Sequence, residues 1–157
     1  MQKIRLICVG NIKEKYFIEA IAEYQKRLTR FCDFKIVQIK ECLLSDGMND
    51  KMVVDRESAD ILKKMQDGGF NICFDLQGKE ITSLELAKVI KDRANFSDSM
   101  VNFIIGGSNG FNDEVRRNAN MVIRVGKLTF PHQLMRVFAV EQIYRAETII
   151  NNVKYHK

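Results

Sequence analysis

Two stretches of this chain, "IRLICV" at Ile4 to Val9 and "VNFII" at Val101 to Ile105, are apolar almost without interruption. A strand with one wet face alternates apolar and polar residues, so runs like these belong to strands covered on both faces, the signature of a parallel sheet packed between helices. Three further runs read as strands: Phe34 to Ile39, Asn71 to Leu76, and Met121 to Val125. Helical periodicity fills the gaps. Phe17, Ile21, Tyr24, Leu28 and Phe31 mark one face of a helix over Glu14 to Phe31, and a second helix covers Lys51 to Gln66. "TSLE" at Thr82 to Glu85 has capping-box spacing and predicts a third helix running to Ala94. The alternation specifies an α/β fold, a mainly parallel sheet flanked by helices, formed by residues 1–157 as a single domain.

The last helix, Gln133 to Ile150, leaves no clean polar face when its residues are wound at about 100° each. It needs cover on more than one side, either from its own chain or from a second copy, and a homodimer is the simpler solution. The apolar runs are too short to span a bilayer, and the N-terminus lacks a signal-peptide pattern, so the expectation is a cytoplasmic protein with no membrane association. Cys8, Cys32, Cys42 and Cys73 form no C-x-x-C pair, and His132 and His156 complete no zinc spacing, which leaves no metal site. Cys8 and Cys73 read as small buried thiols. A net charge of +5 makes a polyanionic partner plausible, and the spread of lysines and arginines suits a broad surface.

"IIGGSNG" at Ile104 to Gly110 follows the fourth strand. Glycines at the carboxyl end of a parallel strand let the backbone approach a ligand, and open α/β sheets bind in the crevice outside those ends. The loop is neither a P-loop nor a dinucleotide fingerprint, and a purely structural tight turn is the alternative. A second small-residue loop, "VGKLTFPHQLMR" at Val125 to Arg136, also follows a strand and contains the only proline, Pro131, at or near the start of the final helix. Two such loops at neighbouring strand ends can close around a flat ligand, with His132 and Arg136 directed toward it.

"IIGGSNG", "KLTFPHQLMRVFAVEQIYRA" and the terminal "YHK", together with "IRLICVGNIKEKYFIEAIAEYQKRL" and "DLQGK", resemble the RlmH family, the bacterial large-subunit rRNA methyltransferases of the SPOUT class, over essentially the whole chain. The resemblance implies a SPOUT-type fold with a C-terminal trefoil knot, a homodimer, and methyl transfer from S-adenosyl-L-methionine to N3 of a pseudouridine in 23S rRNA of the ribosome. Carried over by motif, it puts cofactor contacts on Phe74, Gly106, Val125, Gly126, Lys127, Leu128, Thr129 and Phe130, although Phe74 and Leu128 also read as core residues. Methylating an imide nitrogen requires loss of its proton, and the candidates for catalytic work are His132, Arg136, Arg145, Tyr155, His156 and Lys157. His132 is the preferred proton acceptor by residue type, with loop capping as its alternative role. Two other functions fit the residues: a related SPOUT enzyme acting on tRNA, for which an appended RNA-binding domain would be expected, and a non-enzymatic ribosome- or RNA-binding module.

Overall fold

The computed structural model describes residues 1–44 and 47–157. Five strands form one all-parallel sheet: β1 (Lys3–Val9), β2 (Asp33–Ile39), β3 (Phe70–Glu80), β4 (Val101–Ile105) and β5 (Met121–Arg124), in the order β2-β1-β4-β3-β5. The helices are α1 (Lys15–Leu28), α2 (Asp50–Met65), α3 (Ser83–Arg93), α4 (Asp113–Asn118) and α5 (His132–Ile150). On one face of the sheet Ile4, Leu6, Cys8, Phe103 and Ile123 pack with buried residues of α1, α3 and α5. On the other, Ile7, Val9, Cys73 and Ile104 pack with Ile61 and Met65 of α2 and Val115 of α4. Successive side chains of β1 thus enter opposite cores, which is why its sequence scarcely alternates. Cys8 and Cys73 are fully buried, and burial pushes their thiols up to about 11 and about 12, so both are inert.

The expected capping box forms at α3: Thr82 Oγ1 accepts from the Glu85 amide at 3.1 Å while the Thr82 amide donates to Glu85 Oε2 at 2.6 Å. Pro131 occupies the N-cap of α5, and its carbonyl accepts from the Met135 amide at 3.0 Å. Helix α1 is shorter than its apolar spacing predicts. It ends at Leu28, and Phe31 lies beyond it in a turn, its ring 6.2 Å from that of Tyr144. Helix α4 is a finding of the structure. Its six residues bury only Val115, too little for a periodic signal, and it starts where Asn112 Oδ1 accepts from the Val115 amide at 3.2 Å.

Strand β3 extends further than its apolar run. It pairs with β5 up to Phe74↔Ile123, breaks register, and pairs again from Lys79↔Ile123. The intervening residues bulge away from the ladder at the carboxyl end of the sheet. Gly78 permits the return, because a Cβ there would stand 2.6 Å from the backbone of Ile123.

Candidate functional site

The carboxyl ends of β3, β4 and β5 enclose a cleft of about 370 Å³, a volume in the range of small-molecule sites. Its walls come from three segments: the β3 bulge (Phe74, Asp75, Leu76, Gln77), the loop after β4 (Gly106, Gly107, Ser108, Gly110, Phe111), and the segment after β5 (Val125, Gly126, Leu128, Thr129, Phe130), closed by His132 and Met135 at the start of α5. Phe74, Gly106, Val125, Gly126, Leu128, Thr129, Phe130 and His132 are therefore brought together, as the sequence motifs lead one to expect of a single site. Lys127 is exposed and does not line the cleft. Leu128, for which a core position was an alternative, is 74 % exposed. Phe74 is half-buried and stacked on Phe103 with ring centroids 6.1 Å apart, so it serves the core and the cleft together.

The loop after β4 closes on itself through a bridge between Gly107 and Gly110. It is anchored from below by α2: Ser58 Oγ accepts from the Asn112 amide at 2.9 Å, and Asp55 Oδ1 accepts from Asn112 Nδ2 at 3.2 Å. Glu57, 3 % exposed, accepts from the Cys42 amide at 3.0 Å and lies under Gly107, where a Cβ would be 2.8 Å from Glu57 Oε1. Burial raises this carboxyl above its usual range.

Arg136 does not reach the cleft. The spacing from His132 suggests that both face the ligand, but four residues along a helix the guanidinium turns toward the sheet, is 1 % exposed, and donates to the carbonyls of Val9 at 2.6 Å and Gly10 at 2.8 Å. It braces the start of α5 against the end of β1, because a buried guanidinium needs acceptors and two strand-end carbonyls supply them. Its charge acts on His132: desolvation first, and then Arg136, holds the imidazole below its ordinary value of 6.5.

The remaining expected catalytic residues gather elsewhere. Tyr155 donates to Glu141 Oε1 at 3.0 Å, its ring lies 4.8 Å from that of Tyr144, and the Arg145 guanidinium sits 4.8 Å from the Tyr155 centroid. His156 Nδ1 is 3.4 Å from Arg145, and Lys157 is exposed. The tail thus folds back on α5 instead of fraying, at the end opposite His132. Thirteen residues of helix separate His132 from Arg145, roughly 20 Å at 1.5 Å per residue, so one chain does not bring these groups into its own cleft.

Asp75 and Arg116, to which the sequence motifs gave no role, line the cleft with charge, as does Arg124. Arg116 donates to Asp75 Oδ2 from Nε at 2.9 Å, with a terminal nitrogen in ion-pair contact at 2.7 Å, and donates to Asp113 Oδ1 at 2.7 Å. Asp75 Oδ1 also accepts from the Gln77 amide at 2.7 Å, which shapes the bulge. That local contact was legible in "DLQ"; the partner, 41 residues away, was not.

Among the described residues no group of three His, Cys, Asp or Glu could hold a metal ion, and no helix is long and apolar enough to cross a membrane. The chain is 44% identical over 155 residues to the ribosomal RNA large subunit methyltransferase H of Fusobacterium nucleatum, covering 98% of this chain and 99% of that one. It is 45% identical over 157 residues to the protein of the same name from Lactobacillus acidophilus, with the same coverage. Among solved structures it is similar to a probable methylase family protein from Haemophilus influenzae (TM-score 0.60, 14% identity, 98% of this chain and 70% of that one). A tRNA (m1G37) methyltransferase from Aquifex aeolicus aligns at a TM-score of 0.55 and 14% identity, over 99% of this chain and 73% of that one. The family described as predicted SPOUT methyltransferase matches residues 2–156, and with full-length relatives of this similarity the chain belongs to the SPOUT methyltransferases, in the group of the large-subunit rRNA methyltransferase H proteins.

Proposed function

We propose that this chain is a 23S rRNA methyltransferase that uses S-adenosyl-L-methionine to methylate N3 of a pseudouridine in the large ribosomal subunit. The observation that carries the reading is the identity of 44%, end to end, with a relative named for large-subunit rRNA methylation. The cleft fits the cofactor: aromatic walls at Phe74 and Phe130 suit an adenine, strand-end loops offer backbone groups, and Asp75 and Arg116 supply charge for a zwitterionic tail. When bound, the cofactor supplies an electrophilic methyl group.

This chain's own residues then have distinct tasks. The loops after β4 and β5 exclude water from the two sides of the cleft and fix the orientation of what lies between them. His132, at the cleft mouth, accepts the N3 proton of the uracil ring on an imidazole nitrogen; its depressed affinity for protons keeps it neutral and ready at pH 7. Arg136 positions His132 by holding the first turn of α5 to the sheet. The cationic and aromatic tail, with Arg145, binds RNA as part of the site of a second copy in a cytoplasmic homodimer. A trefoil-knotted C-terminal part belongs to the same proposal, and rests on the family resemblance.

Mass spectrometry of nucleosides from 23S rRNA of cells with and without the gene for this chain tests the reading. The expected result is one 3-methylpseudouridine lost with the gene and restored by it. A methylated nucleoside lost from tRNA instead would reassign the substrate, and an unchanged nucleoside pool would leave an RNA-binding role.

A further inference from the structure

We infer that Arg116 is a specificity-determining residue of the cleft, held by Asp75 to receive the α-carboxylate of the cofactor's methionine tail. The inference rests on the reading of this cleft as the cofactor site. Three fully charged side chains line the cleft among the described residues: Asp75, Arg116 and Arg124. Arg124 is paired with Glu80 at 3.4 Å. Arg116 is different in kind. Its guanidinium is fixed on one edge by Asp75, on another by Asp113, and lies 5.3 Å from the Phe111 ring centroid, so it is locked in place before any ligand arrives.

A guanidinium has five N–H donors, and the two hydrogen bonds to Asp75 and Asp113 leave three. Asp75 in turn has about four lone-pair sites, of which Arg116 and the Gln77 amide take two. The pair therefore presents free donors beside free acceptor sites, complementary to a carboxylate beside an ammonium. Asp75 and Arg116 side chains are 11% and 22% exposed, whereas Asp113 is 76% exposed and its charge is screened by water. The close Asp75–Arg116 pair is neutral as a unit, which lets the empty cleft hold it at small electrostatic cost. An arriving carboxylate gains charge-assisted, planar hydrogen bonds that a lysine would not reproduce. An RNA phosphate would use the same donors, but the position of Arg116 on the cleft wall, beside the β3 bulge and the loop after β4, favours the smaller anion.

The test is calorimetric and independent of turnover. S-adenosylhomocysteine and 5′-methylthioadenosine share the adenosine and the thioether, and only the first carries the amino-acid group. Wild-type protein is expected to bind S-adenosylhomocysteine more tightly. Arg116→Gln should lose tenfold or more of that affinity and leave 5′-methylthioadenosine binding unchanged, which also reports an intact cleft; Arg116→Lys should fall between. Equal losses for both compounds would make Arg116 a structural brace and overturn the inference, and so would unchanged affinity for both with weakened binding to rRNA. If Arg116→Gln does not fold, Arg116→Lys decides by the same comparison. Wild-type protein that binds neither compound would instead overturn the cofactor reading of the cleft, a failure distinct from either of these.

Discussion

A Cβ built on Gly106 stands 2.7 Å from the carbonyl carbon of Gly110, so the glycine is required by the loop's own closure as much as by any ligand. Gly126 is different: nothing lies within 4 Å of a Cβ placed there, yet the residue lines the cleft. Gly106→Val is therefore expected to lower both the melting temperature and the affinity for S-adenosylmethionine. Gly126→Val should leave melting within a degree or two and still weaken binding roughly tenfold, a loss of about 1.4 kcal/mol. Calorimetry with thermal melts separates the two, and full affinity in Gly126→Val would remove that loop from the site. His132 has its own signature. Burial and Arg136 keep it neutral above its ordinary 6.5, so kcat should be flat from neutral pH upward and fall only on acidification below that value. His132→Ala should reduce kcat by roughly 10²-fold and abolish this acid limb. At this scale the sequence showed which loops line the cleft, because small residues after apolar runs are a local signal. It did not show Arg136 turning inward or Arg116 pairing with Asp75, because those choices depend on which carbonyls and carboxylates the fold brings near.

Helix α5 explains at the level of an element why an apolar pattern alone misleads. Its buried set includes Glu147 and Thr148 as well as Ala139, Val140, Ile143 and Ala146, so the side toward α1 and α3 is not purely apolar. Glu147 is 4% exposed, and desolvation pushes its carboxyl up to about 7, opposed by the hydrogen bond from Asn151. The folded state thus holds a proton that the unfolded chain releases near 4.5. The stabilisation from that proton is complete below pH 4.5 and is lost as pH rises through about 7, amounting to something on the order of 3 kcal/mol. Glu147→Gln keeps the shape without the titration. Urea denaturation at pH 5 and pH 8 should show wild-type stability dropping between the two, and the variant flattened and more stable at pH 8; an unchanged pH slope would locate the dependence elsewhere. Strands β1 and β4 were legible because burial on both faces leaves a continuous apolar run. The second half of β3 was not, since "QGKE" carries no apolar pattern and pairs with β5 only after the bulge.

Across the whole molecule, the cleft and the C-terminal cluster sit at opposite ends of α5, and this separation constrains how one catalytic centre can use both. Tyr155 and His156 are docked on Glu141, Tyr144 and Arg145, so the tail is ordered yet remote from its own His132. Leu134, Val137 and Phe138, on the half of α5 nearer the cleft, remain half-buried in the single chain. A second copy packed there would cover them and bring a partner's tail toward the cleft. Deleting Tyr155 to Lys157 is therefore expected to leave S-adenosylhomocysteine affinity within about twofold while nearly abolishing methylation of ribosomal substrate. Pairing the deleted chain with a full-length Gly126→Val chain, each carrying its own affinity tag so that only the mixed dimer is recovered, tests the direction of supply. If the tail serves the partner, the deleted chain's intact cleft receives the other chain's tail, and about half of the wild-type activity per dimer returns. If each tail serves its own cleft, the one site that keeps its tail is the weakened Gly126→Val cleft, and with the cofactor held well below that variant's Kd the activity returned is under about a tenth of wild type.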